Sequence, residues 1–124
     1  MKILLVDDDE FLRDMYALKF RSSGYDVTVA DGSVSALTLL DRGIAYDLLI
    51  LDMIMPGTTG VELLNIINER FSKQIKYCIF LSNQGQDEDI REATEAGAIG
   101  YIVKASSIPS EVVTKIEEII KKHK

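Results

Sequence analysis

The chain is poor in residues that cross-link, stiffen or ligate. It has one cysteine, Cys78, so neither a disulfide framework nor a thiolate metal site is available. Cys78 lies inside an apolar run, where a free cysteine behaves as a small core residue rather than a reactive thiol. Histidine is as scarce: His123 stands alone in the basic end Lys121-Lys122-His123-Lys124, where solvent is its expected surrounding. That end supplies either the favourable charge of a helix C-terminus or the start of a linker. No apolar run approaches the ~20 residues of a membrane span. Met1-Lys2 leads straight into a short apolar run, with no signal peptide. Positive charge is in deficit, with 14 Lys and Arg against 20 Asp and Glu, a net charge of −6 and a pI of about 4.7. Direct binding of nucleic acid needs the opposite balance. Gly57, Gly60 and Gly85 are scattered and build no phosphate-cradling loop. These absences set an expectation of a cytoplasmic, reducing location away from membrane and nucleic acid.

What is present is an alternation. The 124 residues, 47% of them hydrophobic, suit one domain spanning 1–124. Apolar runs predict strands at Ile3–Val6, Asp26–Ala30, Leu48–Leu51, Ile75–Leu81 and Ile99–Val103. Between and after them lie five amphipathic stretches. The first runs from Asp9 to Ser23, with Leu12, Met15, Tyr16 and Phe20 at helical spacing and Gly24 as its stop. The second covers Ser33 to Asp41, with Val34, Leu37 and Leu40 inward and Gly43 beyond. The third covers Thr59 to Phe71, with Val61, Leu64, Ile67 and Phe71 inward. The fourth, Asp87 to Ala96 before Gly97, is the weakest, anchored by little more than Ile90 and Ala93. The fifth runs from Pro109 to Lys121, with Val112, Val113, Ile116, Ile119 and Ile120 inward and Pro109 in its first turn. The order βαβαβαβαβα predicts an α/β fold: a parallel sheet, right-handed crossovers and helices on both faces.

Charges stand just past three of these runs: Asp7-Asp8 after the first, Asp52 after the third, Lys104 after the fifth. Ligands of open α/β sheets bind outside the carboxyl ends of strands. Neighbouring strands would bring three carboxylates and one ammonium together, leaving a formal −2 that one divalent cation neutralises. Oxygen ligands alone favour a hard ion such as Mg²⁺. Asp9 fits a simple helix cap.

Four pieces, Leu5-Val6-Asp7-Asp8-Asp9, Leu51-Asp52-Met53-Ile54-Met55-Pro56-Gly57, Phe80-Leu81-Ser82 and Ala96-Gly97-Ala98-Ile99-Gly100-Tyr101-Ile102-Val103-Lys104, resemble the receiver domain of a two-component response regulator. The resemblance covers residues 2–122. It implies a flavodoxin-like doubly wound (βα)5 fold with strand order 2-1-3-4-5. It implies that Asp52 accepts a phosphoryl group from a sensor histidine kinase or a histidine phosphotransfer protein. Asp7, Asp8, Asp52 and the Ile54 carbonyl would hold Mg²⁺, with Asp7 acting largely through water. Lys104 and Ser82 would contact the phosphoryl group, and Tyr101 would follow Ser82 as an aromatic switch. The domain would catalyse its own phosphoryl transfer and autodephosphorylation. It would signal through the fourth helix, fifth strand and fifth helix to an output protein or a missing effector domain, as a monomer or weak dimer.

The chain also departs from that family. Asn83 replaces the usual Ala or Gly, Ala105 replaces the proline after the lysine, and Ile54 and Gln84 hold the positions that tune phosphate lifetime. Ile54 cannot orient an attacking water, which predicts slow phosphate loss. Without proline, a cis Lys104–Ala105 bond costs ~2.5–4 kcal/mol, so a trans bond and a re-routed Ser106-Ser107 turn are expected. Asn83 and Ala105 leave open an alternative, a receiver-like interaction module that is never phosphorylated. A hydrolase with an aspartyl nucleophile fits less well, because its second aspartate would stand where Ile54 does.

Overall fold

A computed structural model describes residues 1–124. Five strands and five helices alternate: β1 Lys2–Val6, α1 Glu10–Ser22, β2 Asp26–Ala30, α2 Ser33–Asp41, β3 Tyr46–Leu51, α3 Gly60–Arg70, β4 Ile75–Ser82, α4 Asp87–Glu95, β5 Gly100–Val103 and α5 Pro109–Lys122. All strand pairs are parallel and the sheet order is β2-β1-β3-β4-β5, as expected. Observed ends differ from the predicted ones by a residue or two, as frayed termini do.

Alternation along each strand divides the core. Leu4, Val6, Leu49, Leu51, Cys78 and Phe80 face α2, α3 and α4. Ile3, Leu5, Leu48, Ile50, Ile79 and Leu81 face α1 and α5. Cys78 is 4% exposed and burial pushes its thiol pKa upward, so it is the inert core residue expected. Burying an aliphatic side chain is worth about 1.5–3 kcal/mol, and α5 gains this at Val112, Val113, Ile116 and Ile120. α4 gains it almost nowhere, since Ala93 is its one buried residue and Ile90 is exposed.

Local chemistry sets the helix starts near the sheet edge. The Asp9 side chain caps α1 by accepting from Leu12 N at 3.0 Å. Thr59 and Glu62 form a reciprocal capping box at the start of α3, each bond 3.1 Å. Gly24 ends α1 at φ +93°, a conformation that L side chains rarely adopt.

One inward assignment is corrected. Val34 is 80% exposed. α2 turns its Ala36–Leu40 line to the sheet, and Val34 lies about 200° from Ala36 at 100° per residue. Leu63, absent from the predicted inward set, is fully buried.

Candidate functional site

Parallel strands of matched register end together. Val6 pairs with Leu51, Leu51 with Phe80, and Ser82 with Val103. The residues just past these ends therefore converge, although Asp7 and Lys104 are 97 positions apart. Asp7 N donates to Ala30 O at 3.1 Å and Asp52 N to Val6 O at 3.2 Å, so both aspartates continue the sheet's bonding pattern.

Lys104 stands at the centre. Its Nζ is 2.7 Å from Asp7 Oδ2 and 2.9 Å from Asp52 Oδ2. Its side chain is 5% exposed, against 2% for Asp7 and 12% for Asp52. Burial pulls the Lys104 pKa down, but bonds to the two carboxylates outweigh it and hold the ammonium above its ordinary value. Asp7 is raised, chiefly by burial, with the Lys104 hydrogen bond opposing. The lysine is thus firmly protonated, while ionised Asp7 carries a desolvation cost.

Both Asp52 oxygens are engaged. Oδ1 accepts from Ser82 Oγ at 2.9 Å and from Ile54 N at 3.3 Å, and Oδ2 binds Lys104. Ser82 Oγ in turn accepts from Gln84 N at 3.2 Å, and the Tyr101 hydroxyl donates to Gln84 O. A hydrogen-bonded path therefore leads from Asp52 through Ser82 and the β4–α4 loop to Tyr101. The Tyr101 ring stacks on Phe80 with centroids 5.9 Å apart. It lies half-buried on the edge strand β5, and burial raises its hydroxyl pKa.

The three carboxylates can each offer one oxygen, all within 4.8 Å of one another. This all-oxygen donor set fits a hard divalent cation rather than zinc or copper. Asp8 is exposed and carries the open side of the cluster. A cleft of about 240 Å³ lies over it, bounded by Leu12, Ile54, Asn83 and Gln84. Ile54 is 55% exposed at this rim. A larger hollow of about 580 Å³ lies against Met1, Tyr25 and Ile120, lacks such a carboxylate cluster and is shaped mainly by α5.

Every predicted site residue is therefore at or beside one cluster. The Lys104–Ala105 bond is trans, and residues Lys104–Ser106 form a short 3-10 turn leading to α5. His123 is exposed and distant from the cluster, as expected. Sequence reasoning missed Arg13, whose Nη1 donates to Asp7 O at 3.1 Å. The available signal was a cation on the first helix shortly after the acidic pair.

Residues 3–117 match the family described as response regulator receiver domain. The chemotaxis protein CheY of Pseudomonas aeruginosa is 34% identical over 123 residues, covering 95% of this chain and 97% of that protein. The transcriptional regulatory protein ResD of Bacillus subtilis is 32% identical over 123 residues, covering 98% of this chain and 48% of ResD. The chain thus spans nearly all of one relative and about half of the other. Among solved structures, Vibrio cholerae chemotaxis protein CheY4 matches with a TM-score of 0.86 at 25% identity, covering 95% of this chain and 97% of that one. A receiver domain of the Francisella response regulator 1452 matches with a TM-score of 0.84 at 28% identity, covering 99% and 98%.

Proposed function

The chain belongs to the family of response regulator receiver domains, and on that premise we propose Asp52 as the phospho-acceptor of a two-component signalling switch. The observation that carries the assignment is the convergence of Asp7, Asp8, Asp52, Ser82 and Lys104 at one strand edge. Residues 1–124 act as a single receiver domain. Its donor is a histidine kinase or histidine phosphotransfer protein, its output an effector domain or separate protein, and its compartment the cytoplasm. No helix is long and apolar enough to cross a membrane.

An Asp52 carboxylate oxygen attacks phosphorus while the bond to the donor imidazole nitrogen breaks and the nitrogen keeps the electron pair. The Lys104 ammonium then follows the negative charge from Asp52 to the phosphoryl oxygens. Ser82 turns its hydroxyl from Asp52 to the same oxygens, and the loop it anchors moves with it. Mg²⁺, held by Asp7, Asp8, Asp52 and the Ile54 carbonyl, would neutralise charge shared by the carboxylates and the phosphoryl group. Ile54 has no group to orient water, so loss of phosphate is slow, with Asn83 and Gln84 lining the same cleft.

Intact-mass measurement after treatment with a small acyl phosphate and Mg²⁺ tests the assignment. One added phosphoryl group is expected on the wild-type protein and none on Asp52→Asn. Undiminished labelling of Asp52→Asn sinks the acceptor assignment, and full labelling in EDTA sinks the metal role. A wild-type protein that never labels would instead favour a pure interaction module.

A further inference from the structure

The peptide joining Asp7 to Asp8 is held from outside its loop by one side chain. Arg13, in the first turn and a half of α1, reaches back to donate from Nη1 to the Asp7 carbonyl at 3.1 Å. Its Nε is buried and meets no acceptor. An arginine serving only the surface would keep its five donors in water. Here one donor is desolvated while another reaches a main-chain oxygen.

That oxygen matters because the peptide group is planar. Fixing the Asp7 carbonyl fixes the Asp8 N–H and Cα, and so limits where the Asp8 carboxylate points. Asp7 has further restraints: its Oδ2 binds Lys104 at 2.7 Å and its Oδ1 accepts from Asp9 N at 2.9 Å. Asp8 is exposed and has no comparable anchor of its own. We propose that Arg13 is a positioning residue for the cation site, setting the Asp8 carboxylate against Asp7 and Asp52 through the Asp7 carbonyl. This rests on reading those three aspartates as a cation site.

Charge alone gives the opposite expectation. A guanidinium beside the cluster repels a divalent cation, so removing it would tighten binding. The sign of the effect therefore separates positioning from electrostatics.

Calorimetric titration of the full chain with Mg²⁺ is the test, using wild type, Arg13→Met, Arg13→Gln and Arg13→Lys. Methionine has neither donor nor charge, and glutamine is neutral and too short for the same reach. Both variants are expected to bind Mg²⁺ roughly tenfold more weakly, the low end for loss of an outer-shell partner. Lysine restores a donor on a long stem together with the repulsive charge, and is expected to bind more tightly than glutamine. Amide exchange at Asp8 is expected to quicken in the methionine and glutamine variants, with Ser82 unchanged. Neutral variants that bind Mg²⁺ as tightly as wild type, or more tightly than lysine, overturn the proposal. If methionine prevents folding, the glutamine–lysine comparison decides alone. A folded wild type that binds no Mg²⁺ overturns the cation-site reading itself, a distinguishable failure.

Discussion

Asp7 is the most buried of the three site carboxylates, its side chain 2% exposed against 12% for Asp52, with Asp8 exposed. It is buried, and burial raises its pKa despite the Lys104 hydrogen bond. The folded protein therefore holds this proton to higher pH than the unfolded chain, whose reference value is 3.8. Between 3.8 and the raised value the folded state binds more protons, so this group's contribution to stability falls as pH rises. Lys104 works at the other limit. Its folded pKa lies above 10.5, so its stabilisation is complete below 10.5 and is lost as pH rises through the folded value. In metal-free buffer, the stability of Asp7→Asn relative to wild type is expected to increase as pH rises from 3.8, by about 1.4 kcal/mol per unit of Asp7 shift. Urea unfolding followed by circular dichroism measures it, and a difference that stays flat over that range would refute the assignment. Asp7, Asp52 and Lys104 were legible in the sequence because each follows an apolar run. Arg13 was barely legible: a cation follows the acidic pair on the first helix, but its partner is a backbone carbonyl and no side-chain pattern records that contact.

At the level of elements, α3 approaches the acceptor loop more closely than a side chain permits. A Cβ on Gly60 would stand 2.2 Å from the Asp52 carbonyl oxygen and 2.7 Å from Phe80 Cε2. Gly60 N also donates to Met53 O at 2.8 Å, tying the helix start to that loop. Gly60→Ala is expected to cost about 1–3 kcal/mol, the usual range for overpacking, and to slow acyl-phosphate labelling by displacing Asp52. Thermal unfolding and labelling rates check both; an alanine variant with wild-type stability and rate would contradict the close approach. The sequence contained this glycine but gave no sign of its contact, which depends on how α3 crosses the strand end. The inward faces were legible where apolar residues are dense, as in α5. They failed in α2, where Ala36 takes the contact that Val34 was expected to make. The sparse anchoring of α4 was legible, since a helix with almost no apolar residues has little to bury.

Across the whole molecule, the site and the face opposite α1 are joined by the Asp52–Ser82–Gln84–Tyr101 path. α4 flanks that path with one buried residue, so it is the helix that opens at least cost. Phosphorylation is expected to change deuterium exchange first in the β4–α4 loop, α4 and β5, with α2 unaffected; change confined to α2 would overturn this route. The 97-residue separation of Asp7 and Lys104 has a further consequence. No chain still lacking β5 can hold the lysine against the aspartates, however well its first four strands have paired. During refolding, acyl-phosphate labelling is therefore expected to serve as a timestamp: if the proposed role of Lys104 holds, labelling rises only with the pairing of β5 against β4, and labelling that precedes that pairing would contradict the role.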